Sequence, residues 1–295
     1  MLKTGGAMKP RISLVLLFLI GVVPILFSFP TRARLDSQGR QAKRFYLGFD
    51  RNIYPGDDAM KSLRRDFAFS GYWLSPPPEE KASTWVGKRE VVRSLGFGFL
   101  VLYRSRIERE LKNSTRANTL GRSDAMDAAR AAKSEGFPEN TIIFLDIEEG
   151  GRLSPAYHSY LEAWLFTLTE LDYQGGFYCS DVPVKDDGKT TITTADDIND
   201  LLLRKSRTFT IWAFEDVCPP SPGCTFPEKP PAPALSGDPT ADVWQYAQSP
   251  RRKERTAYCA RTYAADGNCY APRDTAHAWF LDLDSAISPD PSNGR

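Results

Sequence analysis

The sequence predicts an α/β fold, a (β/α) TIM-like barrel in modified form, and three observations lead to this prediction. About eight short apolar runs, rich in β-branched and aromatic residues, alternate with helical patterns or loops. This number of strands within 295 residues favours a closed parallel barrel over an open sheet. Acidic residues stand at the ends of several runs, and the strand ends are where a barrel gathers its functional groups.

The elements follow in chain order. The predicted strands are residues 45–50, 69–74, 98–103, 141–148, 176–180, 209–214, 243–247 and 280–283. The predicted helices are residues 57–67, 85–94 (after a loop), 123–135, 155–171 and 194–203, with Ser123 and Thr194 as N-caps of two of them. The last two strands lack a good helix between them, and residues 216–240 form a Pro-rich insert, so we expect the barrel to be modified near its C-terminal strands.

The N-terminal region predicts export. Lys3, Lys9 and Arg11 precede an uncharged hydrophobic stretch at residues 12–29, which is the pattern of an export signal. The stretch is barely long enough to span a membrane, and Pro24 interrupts it. A cleaved signal peptide and an uncleaved signal anchor are both open, so the protein is expected to be secreted or anchored to the membrane by this segment.

The predicted domain organisation has four parts. They are a signal peptide or anchor at residues 1–30, a polar linker at 31–44, the barrel domain at 45–287 and a tail at 288–295. With 38 basic and 37 acidic residues the net charge is +1, which gives no case for a nucleic-acid partner. The phosphate-loop, dinucleotide and Ser-hydrolase motifs are missing, and the two histidines fit no metal spacing, so no cofactor or metal is expected.

The cysteines indicate an oxidising compartment. Four of the five occur as two close pairs in loop-like sequence, Cys218 with Cys224 and Cys259 with Cys269, where short disulfides would fit. Zinc is the competing interpretation, and it is weak because neither pair has the C-x-x-C spacing. Cys179 lies in a predicted strand and is expected to be a buried free thiol.

The strand at residues 141–150 carries the main functional signal. Asp146 and Glu148 follow its apolar run and point to the same face, because side chains alternate along a strand. Asp50 and Asp282 occupy strand ends elsewhere, so the four acids could meet at one rim of a barrel. Structural roles remain the alternative: a helix cap for Asp146 or Glu148, an ion pair of Asp50 with Arg51, or strand closure by Asp282.

Aromatic residues accompany these acids. Trp212, Trp244 and Tyr246 lie in two predicted strands, and flat rings beside carboxylates suit a carbohydrate. Core packing is the competing interpretation for each ring. Glycosidic cleavage needs a general acid and a second carboxylate, which this set of residues could supply.

Several short motifs resemble the family 25 glycoside hydrolases, which are lysozyme-type muramidases with a modified barrel. They are Gly-Phe-Asp at 48–50, Phe-Leu-Asp-Ile-Glu at 144–148, Gly-Gly-Phe-Tyr-Cys-Ser at 175–180 and Trp-Gln-Tyr at 244–246. The sequence is more similar to a bacterial glycoside-hydrolase-like domain family of unknown function, over about residues 45–287. The resemblance implies the same fold and a glycan of the cell envelope, such as peptidoglycan, as the partner.

The resemblance also implies roles for individual residues. Glu148 would be the general acid, Asp146 would orient or stabilise the substrate, and Asp50 and Asp282 would line the same rim. Two positions depart from the family pattern: Asp284 stands where Asn is usual, and Glu149 is an additional acid that could bind substrate. Three hypotheses follow, namely a glycoside hydrolase, a glycan-binding module without turnover, and a membrane-tethered scaffold.

Overall fold

The structure of the protein is a computed structural model that describes residues 44–295. The predicted export segment and nearly all of the predicted linker lie outside the described residues. Within residues 44–295, the helices are all too short or too polar to cross a membrane.

Eight strands form a closed barrel, which confirms the predicted fold class. The strands are β1 (Tyr46–Asp50), β2 (Phe69–Trp73), β3 (Gly98–Arg104), β4 (Ile142–Asp146), β5 (Gln174–Ser180), β6 (Thr210–Phe214), β7 (Val243–Ala247) and β8 (Phe280–Ala286). Neighbouring strands from β1 to β7 are parallel, and β8 closes the barrel by pairing antiparallel with both β7 and β1. The sequence predicted a Pro-rich insert near the C-terminal strands and did not predict the reversed direction of the last strand.

The reversal of β8 explains how Asp282 reaches the functional rim. In a parallel barrel the carboxyl-terminal strand ends share one rim, and Asp282 was expected at such an end. It instead lies near the beginning of β8, where the antiparallel register places it directly opposite Asp50 at the end of β1. The prediction that Asp282 ends its strand was therefore wrong, but Asp282 does lie beside Asp50 as expected.

Six helices of the described residues flank the strands. They are α1 (Asp57–Leu63), α2 (Arg89–Ser94), α3 (Glu108–Leu111), α4 (Ser114–Glu135), α5 (Pro155–Glu170) and α6 (Thr194–Leu203). Two of the predicted N-caps were wrong. Helix α4 begins nine residues before Ser123, where the Asn113 side chain accepts a hydrogen bond from Arg116 N, and α6 is capped by Thr193 instead of Thr194.

Close packing of α4 on α5 accounts for the longer helix. A Cβ atom on Gly121 would lie 2.4 Å from the carbonyl oxygen of Tyr160, so only glycine permits this approach. Ala117 and Ala125 are buried on either side of Gly121. Tertiary contact therefore stabilises a segment whose own helix propensity is modest.

Two disulfides hold the Pro-rich insert, although the predicted pairing was wrong. Cys218 is bonded to Cys259 and Cys224 to Cys269, with Cα–Cα distances of 5.7 and 5.3 Å. The insert after β6 folds onto the connection between β7 and β8, so each cysteine meets a distant partner instead of its neighbour in sequence. Cys179 is buried and free, as expected.

The residues predicted as a tail, 288–295, pack against the amino-terminal ends of the strands. Ser292 N donates to Phe99 O, and Ser292 O accepts from Ile142 N. Its hydroxyl oxygen accepts a further hydrogen bond of 2.8 Å from Val101 N. This segment therefore covers the end of the barrel opposite to the acids.

Candidate active site

A cavity of about 350 Å³ opens at the carboxyl-terminal rim of the barrel. Its walls include all four acids singled out from the sequence, Asp50, Asp146, Glu148 and Asp282. The closed barrel brings them together although they lie in or just after β1, β4 and β8, which are far apart along the chain. The site is therefore a property of the barrel and not of any one segment.

Asp50 lies in the wall of this cavity and is 6% exposed. Burial raises its pKa to about 6, and a hydrogen bond of 2.7 Å from Gln245 Nε2 to Asp50 Oδ2 opposes part of that rise. Strand β2 approaches Asp50 closely, because a Cβ on Gly71 would lie 2.7 Å from Asp50 Cβ. The position of this carboxyl group is therefore fixed by backbone packing and by Gln245.

Asp146 and Glu148 form the second part of the wall. Asp146 ends β4, is 3% exposed, and its Oδ2 atom has no hydrogen-bond partner among the described residues. Burial raises the pKa of Asp146 well above its usual value, and the charges of Glu148 and Asp50 raise it further. Glu148 follows beyond the strand with an accessible side chain. Surrounding protein still displaces water from the Glu148 carboxyl group, which raises its pKa too.

Asp282 and Asp284 add two more acids with raised pKa values. Burial is the main cause for both, followed by the charge of Asp50. Asp284, which stands where the resembling family has Asn, lies fully buried behind the cavity wall and accepts a hydrogen bond of 3.0 Å from Trp212 Nε1. Asp284, in place of the usual Asn, therefore adds a carboxyl group that interacts with Asp50.

Tyr178 and Gln245 also line the cavity, and the sequence did not single them out as site residues. The Tyr178 hydroxyl donates to Gln245 Oε1 at 2.8 Å, and Gln245 in turn donates to Asp50. Both occur in the short motifs that carry the family resemblance, at 175–180 and 244–246. The signal that could have found them is side-chain alternation, which places Gln245 on the opposite face from Trp244 and Tyr246.

The structure places the predicted aromatic platforms differently. Trp212 lines the cavity but is fully buried, and its ring packs edge-on against Tyr178. Trp244 and Tyr246 do not line the cavity: both are fully buried on the outer face of β7, and their side chains donate hydrogen bonds to Glu215 O and Thr225 O. Trp244 and Tyr246 therefore pack in the core and do not line the cavity, where we had expected them to bind substrate.

Other aromatic residues take part in the cavity wall, and Glu149 does not. Trp73 at the end of β2 and Phe280 at the start of β8 both line it. Glu149 Oε1 accepts a hydrogen bond of 2.8 Å from the backbone N of Glu108, the first residue of α3, outside the cavity. Of the two neighbouring acids named from the sequence, Glu148 lines the cavity and Glu149 does not.

This arrangement suits acid–base chemistry. A carboxyl group with a raised pKa can remain protonated near neutral pH and donate its proton, while a second carboxylate nearby can stabilise positive charge. Within residues 44–295, no three His, Cys, Asp or Glu side chains are arranged to hold a metal ion. The groups present are carboxyls, amides and aromatic rings, which are the groups that bind and cleave sugars.

Comparison with known proteins agrees with this arrangement. Residues 75–216 match the model of the family described as the Rv2525c-like, glycoside hydrolase-like domain, and this range contains β3 to β6 with Asp146 and Glu148. Residues 75–216 are therefore similar to a glycoside-hydrolase-like domain. The resemblance expected from the sequence motifs is thereby confirmed. No curated protein gives a significant sequence match to the chain.

Several solved structures are similar to this chain. An uncharacterized protein of B. stearothermophilus matches with a TM-score of 0.51 and 20% identity, over 82% of this chain and 95% of that chain. The Mycobacterium tuberculosis Tat-secreted protein Rv2525c, in complex with L-tartrate, matches with a TM-score of 0.48 and 11% identity, over 84% and 97%. The catalytic domain of endolysin ply40 from bacteriophage P40 of Listeria monocytogenes matches with a TM-score of 0.47 and 14% identity, over 84% and 96%. At 20% identity, the similarity to the B. stearothermophilus protein supports the fold and does not extend to activity.

Proposed function

We propose that the protein is a glycoside hydrolase that cleaves a cell-envelope glycan, with peptidoglycan as the first substrate to test. The observation that carries this proposal is the convergence of Asp50, Asp146, Glu148 and Asp282 on one cavity, each with a raised pKa. The glycoside-hydrolase-like family match supports the reaction class. The similarity of the motifs to family 25 glycoside hydrolases supports the choice of glycan.

Glu148 is the proposed general acid. It is the only one of the four whose side chain is exposed at the mouth of the cavity, so a glycosidic oxygen can reach it. In the reaction Glu148 gives its proton to that oxygen as the bond to the anomeric carbon breaks. The Asp146 carboxylate stabilises the positive charge that develops on the sugar, and water supplies the new hydroxyl group while its other proton passes to the Glu148 carboxylate.

We further propose that the protein works outside the cytoplasm. Its two disulfides, Cys218–Cys259 and Cys224–Cys269, support an oxidising environment. The hydrophobic segment at residues 12–29 supports export on sequence grounds alone.

A glycan-binding module without turnover is the second candidate function. One observation favours it: the pKa values of Asp50, Asp146 and Asp282 are all raised, so the ionised carboxylate that cleavage requires is scarce at acidic pH. In that case the cavity would hold a sugar by hydrogen bonds from neutral carboxyl groups. Binding would then occur without the release of reducing ends.

Glycan hydrolysis by wild type, Glu148→Gln and Glu149→Gln tests both candidates. Purified peptidoglycan and a panel of polysaccharides are incubated with each protein, and new reducing ends are measured together with binding. The hydrolase proposal expects Glu148→Gln to lose at least ~100-fold in rate, in the range typical of a general acid, while Glu149→Gln keeps most of the activity. Binding of glycan by all three proteins with no cleavage by any would establish the binding module.

A further inference from the structure

Arg51 lines the cavity with buried hydrogen-bond donors that no described residue accepts from. It follows Asp50 directly at the end of β1, and its guanidinium carbon lies 5.1 Å from the centre of the Phe280 ring. The Nε and Nη1 atoms are buried, and neither has a hydrogen-bond partner among residues 44–295. Buried donors are normally satisfied, since leaving one unpaired costs about 1–3 kcal/mol and more for a charged group.

The position of Arg51 is set by its backbone. The indole Nε1 of Trp85, a fully buried side chain, donates a hydrogen bond of 3.1 Å to Arg51 O. The Phe280 ring lies beside the guanidinium group, which favours a planar cation. The side chain is therefore held in the cavity wall by packing, while its hydrogen-bonding groups remain unused.

Trp73 presents a second unused donor in the same cavity. It ends β2, the strand next to β1, and is 3% exposed. Its indole Nε1 is buried and also lacks a hydrogen-bond partner within the described part of the chain. Two neighbouring strands thus each bring an unpaired N–H group to one cavity.

The acids near Arg51 do not occupy its donors. Asp282 and Asp274 are close enough for their charges to act on Arg51, yet neither forms a hydrogen bond or an ion pair with it. Asp282 Oδ1 accepts from Ser249 N, and Asp274 accepts from Ala278 N and Trp279 N. Both carboxyl groups bond to backbone amides, and no acceptor among the described residues takes up Arg51 Nε, Arg51 Nη1 or Trp73 Nε1.

We propose that Arg51 and Trp73 form a carboxylate-binding subsite beside the catalytic acids, so that the glycan taken by this cavity carries a carboxylate. This inference rests on the proposed function and names its substrate class. A guanidinium group binds a carboxylate through two parallel hydrogen bonds, and an indole N–H can supply a third. The carboxylate can belong to the sugar ring, as in a uronic acid, or to a substituent on the ring, as in peptidoglycan.

The neighbouring acids permit an anion at this place. Burial raises the pKa values of Asp50, Asp146 and Asp282, so these carboxyl groups stay neutral to higher pH than usual and then repel an anion less. The Phe280 ring is 43% exposed, which leaves it accessible to a sugar face next to Arg51. Carboxylate recognition and sugar stacking can therefore occur on one ligand.

Binding measurements at pH 5.5 with three soluble oligosaccharides of equal length test the subsite. They are an oligouronate, a peptidoglycan fragment with free carboxylates and a neutral chitin oligosaccharide. We expect the protein to bind at least one acidic ligand about tenfold or more tighter than the neutral one, as for a charge-assisted hydrogen-bonded pair. Whichever acidic ligand binds tighter identifies the source of the carboxylate, and its methyl ester should bind no better than the neutral ligand.

Variants complete the test. Arg51→Gln should remove the preference for the acidic ligand over the neutral one, and Arg51→Lys should retain part of that preference. Arg122→Gln is the matched control, because Arg122 also stacks on an aromatic ring, Phe166, but lies on α4 away from the cavity. The methyl ester measurement uses the unaltered chain and therefore does not depend on the folding of any variant.

The outcomes separate this inference from the proposed function. Equal binding of acidic, esterified and neutral ligands would overturn the carboxylate subsite and leave a glycan-binding protein in place. A preference for acidic ligands that persists in Arg51→Gln would also overturn it, since another cation would then be responsible. If the protein binds none of the three glycans, the proposed function itself fails.

Discussion

Gln245 Nε2 donates a hydrogen bond of 2.7 Å to Asp50 Oδ2 inside the barrel, and this contact links β7 to β1 across the cavity. Gln245 is 2% exposed and accepts a second hydrogen bond from the Tyr178 hydroxyl at 2.8 Å. The amide group therefore connects a donor on β5 with a carboxyl group on β1. In the Trp-Gln-Tyr motif, Gln245 lines the cavity, whereas Trp244 and Tyr246 pack in the core.

Replacement of Gln245 by leucine should lower the free energy of unfolding by about 1–3 kcal/mol. The substitution leaves Asp50 Oδ2 and the Tyr178 hydroxyl without their partners in a buried place. Denaturant unfolding at pH 7 under oxidising conditions measures the change. Gln174→Leu is the matched control, because Gln174 is exposed at the start of β5 and should change stability by much less. Equal effects of the two substitutions would mean that the network does not stabilise the fold.

The stability of the protein should fall as the pH rises from 5 to 7.5. Burial raises the pKa of Asp50 to about 6 and those of Asp146, Asp282 and Asp284 well above their usual values. An aspartate in the unfolded chain has a pKa of about 3.9, so across this window the folded protein binds more protons than the unfolded chain. The contribution of these groups is therefore complete below pH ~4 and is lost as the pH passes through their folded pKa values.

Unfolding curves at several pH values between 5 and 7.5 measure this dependence. Asp50→Asn should make it shallower, because asparagine keeps the shape of the side chain and removes its titration. Carboxyl groups with lowered pKa values, such as Asp57 and Asp187, do not interfere, since their contribution is lost only in more acidic solution. A stability that increases steadily from pH 5 to 7.5 would contradict the assignment of raised pKa values to the buried acids.

The strands and three of the acids could be predicted because they depend on short-range patterns. Each strand is a compact apolar run, and alternation alone places Asp146 and Glu148 on one face. Asp50 and Asp146 end parallel strands, so the closure of the barrel brings them together as expected. The direction of β8 could not be predicted, because the same short apolar pattern fits a parallel and an antiparallel strand.

The roles of the aromatic residues could not be predicted for a different reason. Barrel strands are buried on both faces, one toward the interior and one toward the helices, so apolar residues occur on both. Trp212 faces the interior and Trp244 the exterior, although the two side chains are equally buried. The cysteine partners depend similarly on how the insert folds over the β7–β8 connection, a long-range contact that sequence spacing does not encode.

Disulfide mapping distinguishes the observed pairing from the local one. Residues 218–224 contain no lysine or arginine, so trypsin leaves Cys218 and Cys224 on one peptide, while it cuts after Arg255 and Arg261 and separates Cys259 from Cys269. The structure therefore predicts one cross-linked product of three peptides. Local pairing would yield instead a separate peptide with an internal disulfide, and that product would contradict the structure.

Removal of one disulfide should be costly. Cys218 and Cys259 are 41 residues apart, and replacement of both by serine frees the insert from the β7–β8 connection. We expect the free energy of unfolding to fall by about 2–4 kcal/mol, the usual range for a native disulfide. Denaturant unfolding of the double variant beside the oxidised wild type measures the loss. A change below ~0.5 kcal/mol would show that the insert is held by its other contacts.

Glycan cleavage should decline as the pH rises above the pKa of Glu148. A general acid must be protonated to act, and burial together with the charge of Glu149 raises the pKa of Glu148, while Arg252 and Arg104 oppose the rise. The rate constant kcat/KM, measured with soluble peptidoglycan fragments between pH 4 and 8, should therefore fall above the pKa of Glu148. In Glu148→Gln the small residual rate should lack this alkaline decline.

The interaction between the acids determines how that profile is assigned. Asp146 titrates together with Glu148, so the apparent pKa values belong to the pair and do not by themselves identify the proton donor. Asp146→Asn distinguishes the proton donor from the carboxylate that stabilises the developing positive charge. It should lower the rate at every pH, because a stabilising carboxylate is lost, and it should shift the alkaline decline to lower pH, because a negative charge near Glu148 has been removed. If the decline instead disappears in Asp146→Asn and persists in Glu148→Gln, Asp146 is the proton donor.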